Sequence, residues 1–219
     1  MVELINGGMG NCYIVSGENG AVLVDTGTAK FRDTLLEKCR AADVRLILLT
    51  HGHYDHVQNA AYLAEALGVP VAMHPADIPL LADILSEPID AHVFQGKAMA
   101  AVIRLGQRPR LKKFVARVQK NDIPPFTPDI ELHDGFSLLP YGVDASVVAL
   151  PGHTRGCVGL LAGRDLLVGD ALMNIGKPAR PLHYVDRAAM EESAAKITAL
   201  GEDITLWFGH GGPVENQLW

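Results

Sequence analysis

Apolar residues recur along the chain in two rhythms, one of strands and one of helices. Residues 11–15 and 21–24 are short, β-rich apolar runs, parted by the turn residues Gly17-Glu18-Asn19-Gly20. Residues 31–41 carry Leu35, Leu36 and Cys39 at helical spacing. Residues 45–49 form a compact run, apolar after Arg45, the pattern of a buried central strand. That run leads directly into Thr50-His51-Gly52-His53-Tyr54-Asp55-His56. Residues 57–67 are Ala-rich and helical, with Gly68 as the expected C-cap. Residues 69–73 read as another strand, and Pro75 opens a helix at the first turn, where proline is tolerated.

The stretch from about 86 to 128 has a different character. It contains two helical pieces, 97–105 and 110–120, with proline-rich joints at Arg108-Pro109 and over 123–128. Strand patterns return at 130–132, 137–139, 145–150, 158–162 and 166–168. A helix follows over 186–200, and a last strand over 204–208 ends in Gly209-His210-Gly211-Gly212. Strands in both halves with interleaved helices predict one layered α/β or α+β domain over residues 1–219, with 86–128 as an insert.

Composition narrows the function classes. With 48% apolar and 20% charged residues and a formal charge of −6, the chain has the makeup of a folded globular protein, not a disordered one. Three cysteines are too few for a disulfide scaffold. Residues 1–6 show no signal-peptide pattern, and no run of about 18 uncharged apolar residues exists to span a membrane. A cytoplasmic location is therefore expected, with no membrane partner. The acidic balance argues against a general nucleic-acid partner.

The chemistry concentrates where a buried strand ends. His51, His53, Asp55 and His56 form a His-x-His-x-Asp-His pattern within one loop. Imidazole nitrogen and carboxylate oxygen suit zinc, iron, manganese or cobalt. Gly52 is expected to let this loop turn tightly so that alternate side chains converge. One tetrahedral ion cannot easily take all four groups, so two neighbouring ions are expected. His153, Asp170 and His210 each follow a later strand and each sit beside a glycine. Loops at one sheet edge would bring them to the same place.

With Asp25-Thr26-Gly27 ahead of the motif and His153, Asp170 and His210 after it, in that order, the chain resembles the metallo-β-lactamase superfamily. The resemblance covers residues 11–27, 46–56, 150–170 and 207–212. It implies a four-layer αββα sandwich of two similar halves, with the metals at one edge and the helical insert between the halves. It also implies that His51, His53 and His153 hold one divalent ion, that Asp55, His56 and His210 hold a second, and that Asp170 bridges them. Asp25 would orient a ligand histidine from behind. Zinc is the expected metal, with iron and manganese as alternatives.

Two such ions acidify a shared water to hydroxide near neutral pH, which can attack a carbonyl or phosphorus centre. Asp55 is the expected catalytic residue, orienting that nucleophile or passing its proton to the leaving group. The reading is a metal-dependent hydrolase acting on an ester, thioester, lactone or phosphoester. Its rivals are a mononuclear iron oxygenase resembling the persulfide dioxygenases and a non-catalytic metal-binding module. Glyoxalase II-like thioester hydrolases carry an extra C-terminal helical domain with basic substrate-binding residues. With Trp219 soon after His210, that substrate site is expected to be missing.

Tyr54 and Tyr184 are candidate substrate donors, with packing as the plainer role. Cys157 is expected to pack beneath the site, Cys12 and Cys39 to be core thiols, and His74, His92 and His133 to serve locally. Residues 97–120 hold eight basic side chains and no acidic one, with Leu111, Phe114, Val115 and Val118 as an apolar stripe. This segment is expected to cover the metals and attract a small anionic substrate. A solvated basic face and a homodimer contact are the alternatives.

Overall fold

The computed structural model describes residues 1–83, 86–87, 123–181 and 183–216. The expected helices at 97–105 and 110–120, the basic stripe on them and His92 lie outside the described residues.

The first half forms a six-stranded sheet in the order β1 (Val2–Asn6), β2 (Asn11–Ser16), β3 (Ala21–Val24), β4 (Val44–Leu48), β5 (Val71–Met73) and β6 (Ile130–Glu131). Its first three strands are an antiparallel meander, and β3 to β6 run parallel. The second half forms a five-stranded sheet in the order β13 (Val214–Glu215), β12 (Thr205–Phe208), β9 (Asp165–Gly169), β8 (Val158–Ala162) and β7 (Ser146–Ala149). Here β9 pairs parallel with β12, and β8 is antiparallel to both β7 and β9. Strands β7, β9 and β12 therefore point the same way. A separate hairpin joins β10 (Met173–Ile175) to β11 (Lys177–Ala179).

The two-residue period of a strand assigns each side chain to a layer. In β2, Cys12 and Ile14 face Leu35, Leu36 and Cys39 of α1 (Arg32–Ala41) and Leu63 of α3 (Ala60–Leu67). Tyr13 and Val15 face the opposite way and meet Val147, Leu160 and Leu167 of the second sheet. Strand β4 repeats the division, with Ile47 toward the helices and Leu46 and Leu48 between the sheets. From Leu46 onward it is apolar because both of its faces are covered there, and Arg45 near its start is exposed. On the far side, Val148, Leu150, Leu166 and Val168 pack against Ala194 and Ile197 of α5 (Arg187–Ala199). The order helix, sheet, sheet, helix is the four-layer sandwich.

Several elements differ from the sequence reading, each for a local reason. The single helix expected over 57–67 is two helices, α2 (Tyr54–Val57) and α3, with Asn59 between them. The Asn59 amide donates to the carbonyls of Thr26 and Thr28 at 2.7 and 2.9 Å, tying the break to the loop after β3. Only Ser137 of the expected strand 137–139 pairs, as a bridge to Ser146. Pro140 then sits in a 3-10 turn over Leu139–Tyr141, where a missing N–H does no harm. Strand β1, the β10–β11 hairpin and β13 were not expected. β1 lies at the sheet's edge with Glu3 and Leu4 exposed, so the apolar pattern that marks a strand is weak there. Pro75 opens a 3-10 turn (Pro75–Asp77) that continues into α4 (Ile78–Ala82), and Gly68 closes α3 at φ 69°. Among the described residues no helix is long and apolar enough to cross a membrane.

Candidate metal centre

The loops that follow β3, β4, β7, β9 and β12 supply the chemistry, and hydrogen bonds between the halves place them. The Thr50 carbonyl, just after β4, accepts from the Val158 N–H of β8 at 2.9 Å. The Asn11 N–H and side-chain amide of β2 donate to the carbonyls of Gly209 and Phe208 at 2.8 and 2.9 Å, and the Tyr13 hydroxyl also donates to Phe208. His51 and His210 thus stand at the seam of the sandwich, each loop anchored to the opposite sheet.

All seven expected ligand residues come together. One nitrogen each from His51, His53 and His153 lies within 4.8 Å of the others, as do ligand atoms of Asp55, His56 and His210. The third grouping of His51, His56 and Asp170 joins the two. His153 Nε2 and His53 Nδ1 are 3.0 Å apart. Asp170 lies 3.6 Å from His56 Nε2, 3.6 Å from His153 Nε2 and 3.3 Å from His210 Nε2. Asp55 Oδ2 is 3.5 Å from His210 Nε2. His51, His56, His153 and Asp170 form a buried floor, while His53, Asp55 and His210 reach toward its open side.

Asp25 sets the direction of two of these rings. It stands at the end of β3 in the left-handed region at φ 59°, which Asp tolerates better than most residues. One oxygen accepts from the Thr50 N–H, and the other from the Thr50 hydroxyl and from His56 Nδ1, all at 2.8 Å. The Thr50 hydroxyl has spent its proton on Asp25, so it accepts from His51 Nδ1–H at 3.0 Å. Both imidazoles therefore turn Nε2 into the site. His153 is fixed in the same way, with Nδ1–H donating to the His183 carbonyl at 2.9 Å. His51 Nε2, His56 Nε2 and Asp170 Oδ1 are buried and make no hydrogen bond. Buried polar atoms of this kind call for a partner, and a cation is one that imidazole lone pairs and a carboxylate can share.

The clusters differ in protonation. Burial and the neighbouring histidines hold His51 and His53 well below the usual imidazole range. Burial also lowers His153. Burial would lower His56 as well, but the charges of Asp25, Asp170 and Asp55 push it up to about 10. The hydrogen bond to Asp170 raises His210. Asp170 would rise through burial, yet His56 and His210 hold it below the usual carboxylate range.

Two residues near the site escaped the sequence reading. His183 lies with its ring 4.4 Å from that of His153 and 5.3 Å from that of His53, and burial holds it down to about 3. Asp77, fully buried, accepts from Gly52 N–H at 3.0 Å, Thr154 Oγ1 at 2.7 Å and Gly156 N–H at 2.6 Å. An acid in the first turn after Pro75 reads as helix-start chemistry, which hid its second use. Gly52 needs a correction. Its φ is not positive, and it is required because a Cβ would meet the Leu80 Cβ at 2.7 Å and the Asp77 carbonyl at 2.9 Å. Cys157, Cys12 and Cys39 are buried in apolar clusters as expected. His74 accepts from the Ala76 N–H, and His133 donates to the Asp134 carbonyl.

Comparison with known proteins agrees with this architecture. The family model described as the metallo-beta-lactamase superfamily matches residues 5–210, and the chain belongs to that superfamily, whose members are generally metal-dependent hydrolases. It is 31% identical over 152 residues to an uncharacterized protein of Mycobacterium tuberculosis, a match covering 68% of this chain and 58% of that relative. The chain thus spans less than two thirds of the length of that Mycobacterium tuberculosis protein. It is 26% identical over 208 residues to the hydroxyacylglutathione hydrolase GloC of Haemophilus influenzae, covering 92% of this chain and 85% of the relative. Among solved structures, TTHA1623 in a di-iron-bound form is similar with a TM-score of 0.66 and 27% identity, covering 94% of this chain and 89% of that one.

Proposed function

We propose that the chain is a hydrolase working with two divalent cations. In this reading His51, His53 and His153 hold one ion, Asp55, His56 and His210 hold the other, and Asp170 serves both. The observation that carries it is the set of buried atoms that make no hydrogen bond, His51 Nε2, His56 Nε2 and Asp170 Oδ1, in the grouping that joins the two clusters. Bound there, such ions supply Lewis acidity toward a substrate oxygen and an acidified water.

The protein's own groups do the rest. Asp25, Thr50 and the His183 carbonyl fix three imidazoles through Nδ1, so each Nε2 is aimed into the site before anything binds. Asp55 stands at the open side with Oδ2 near His210, where it can take a proton from an attacking water and return it to a leaving group. The donor set suits zinc, and the di-iron relative makes iron its competitor. A thioester heads the substrate classes, because GloC is a hydroxyacylglutathione hydrolase and is matched over most of its length. Esters, lactones and phosphoesters follow.

The test is metal analysis of the purified protein, then a panel of thioesters, esters, lactones and phosphodiesters on metal-loaded protein. The expected result is about two ions per chain, thioester turnover, and its loss in Asp55→Ala. About one iron per chain with oxygen consumption would favour the oxygenase. Bound metal without turnover would leave a binding module.

A further inference from the structure

We propose that Asp77 is the positioning residue of the His51, His53 and His153 subsite, clamping together the two loops that carry its histidines. This inference rests on the ligand assignment proposed above. Asp77 belongs to the first half of the sandwich, in the turn before α4. From there it reaches in two directions. The Gly52 N–H, between His51 and His53, donates to one oxygen at 3.0 Å. The Thr154 hydroxyl, next to His153, donates to the same oxygen at 2.7 Å, and the Gly156 N–H donates to the other at 2.6 Å.

One carboxylate therefore joins a loop of the first sheet to a loop of the second, directly behind the place where His53 Nδ1 and His153 Nε2 come within 3.0 Å. Glu87 adds a second hold on the same turn, accepting from the Arg155 N–H at 3.3 Å. Both loops approach closely enough to require glycine. A Cβ on Gly156 would lie 2.7 Å from Asp77 Oδ1, and one on Gly52 would lie 2.9 Å from the Asp77 carbonyl. Three donors suit a charged, acceptor-only group. An amide in its place would set an NH2 against one of them. Among the described residues no hydrogen bond joins Asp77 to an expected ligand side chain, so its bonds act on loop position, while its charge also favours a proton on His153. The other cluster has its own support in Asp25, which bonds His56 directly.

The test is a cobalt(II) titration of metal-free wild type, Asp77→Asn and Asp25→Asn. Visible absorption gives the affinity of each step, and hyperfine-shifted imidazole N–H protons identify which histidines bind first. Asp77→Asn should weaken the step that shifts the His153 N–H by about 10–100-fold, the usual effect of losing an outer partner. It should leave the step that shifts the His56 N–H alone. Asp25→Asn should weaken the His56 step more than the His153 step. Equal affinities in Asp77→Asn and wild type overturn the role of Asp77, as does equal loss in both steps. A wild type that binds no cobalt at these histidines instead overturns the ligand assignment itself. Thr154→Val, which removes a single donor, decides the matter should Asp77→Asn not fold. A several-fold loss confined to the His153 step supports the clamp, and an unchanged titration overturns it.

Discussion

The two histidine clusters lie side by side and lean on different buried carboxylates. Asp55 and His56 sit on one short helix, and Asp25, from the same half of the chain, bonds His56 directly; only His210 crosses from the other sheet. The other cluster takes His51 and His53 from the loop after β4 and His153 from the loop after β7, and Asp77 touches only the backbone and a hydroxyl of those loops. Asp25 acts on rings, on His56 directly and on His51 through the Thr50 hydroxyl, whereas Asp77 bonds the loops. Their charge differs too. Burial lowers His51, His53 and His153, whereas the charges of Asp25, Asp170 and Asp55 push His56 up to about 10 and the hydrogen bond to Asp170 raises His210. Buried histidines keep or lose a proton according to which carboxylates face them.

The largest effect should come from the residue that belongs to both clusters. Asp170 approaches His56, His153 and His210, so Asp170→Asn should weaken both cobalt steps. The loss should exceed the roughly hundredfold typical of an outer partner, and turnover should fall with it. Metal stoichiometry after dialysis measures this. Loss confined to one step would show that Asp170 serves one cluster only.

Protonation separates the clusters next. A metal entering the neutral His51, His53 and His153 set displaces no proton near pH 7. Entry at His56, raised to about 10, must release one, and His210 adds to it. Releasing a proton makes binding tighter as pH rises, by about tenfold per pH unit for each proton. The step at His56 should therefore tighten from about pH 6 to about pH 8, while the step at His153 stays nearly flat. Calorimetry in buffers of different ionisation enthalpy counts the protons, and equal counts for both steps would erase the distinction.

Much of this was legible in the sequence, for identifiable reasons. The short apolar runs at 11–15 and 21–24 disclosed strands of the first sheet, and the compact run at 45–49 disclosed its buried centre. The His-x-His-x-Asp-His motif and the three glycine-flanked ligands marked the edge where strands end. Asp25 was recognisable through the resemblance to the metallo-β-lactamase superfamily, in which Asp25-Thr26-Gly27 precedes the motif. Asp77 was not, since its partners Gly52 and Gly156 are far from it in sequence and donate through the backbone, which leaves no side-chain pattern to read. The break at Asn59 was hidden for a related reason, because the Ala-rich run around it is helical by every local rule and only the carbonyls of Thr26 and Thr28 interrupt it.

The smallest effect isolates the close approach itself. Gly156 has no positive φ, so Gly156→Ala adds no backbone strain. Its Cβ would lie 2.7 Å from Asp77 Oδ1, 2.8 Å from Cγ and 2.9 Å from the Asp77 backbone nitrogen. A carboxylate held by three hydrogen bonds cannot swing away from that methyl, so the turn must shift instead. Overpacking of this kind costs about 1–3 kcal/mol, which in a chain of this size lowers Tm by roughly 2–4 °C per kcal/mol. Gly212 is the matched control, because it also lacks a positive φ and a Cβ there meets nothing within 4 Å. Gly212→Ala should stay within about 0.5 kcal/mol of wild type, although it lies two residues from His210. Thermal melts of the metal-free proteins measure both. A Gly156→Ala variant as stable as Gly212→Ala would mean that the turn carrying His153 yields freely, and a turn that yields is not clamped by Asp77.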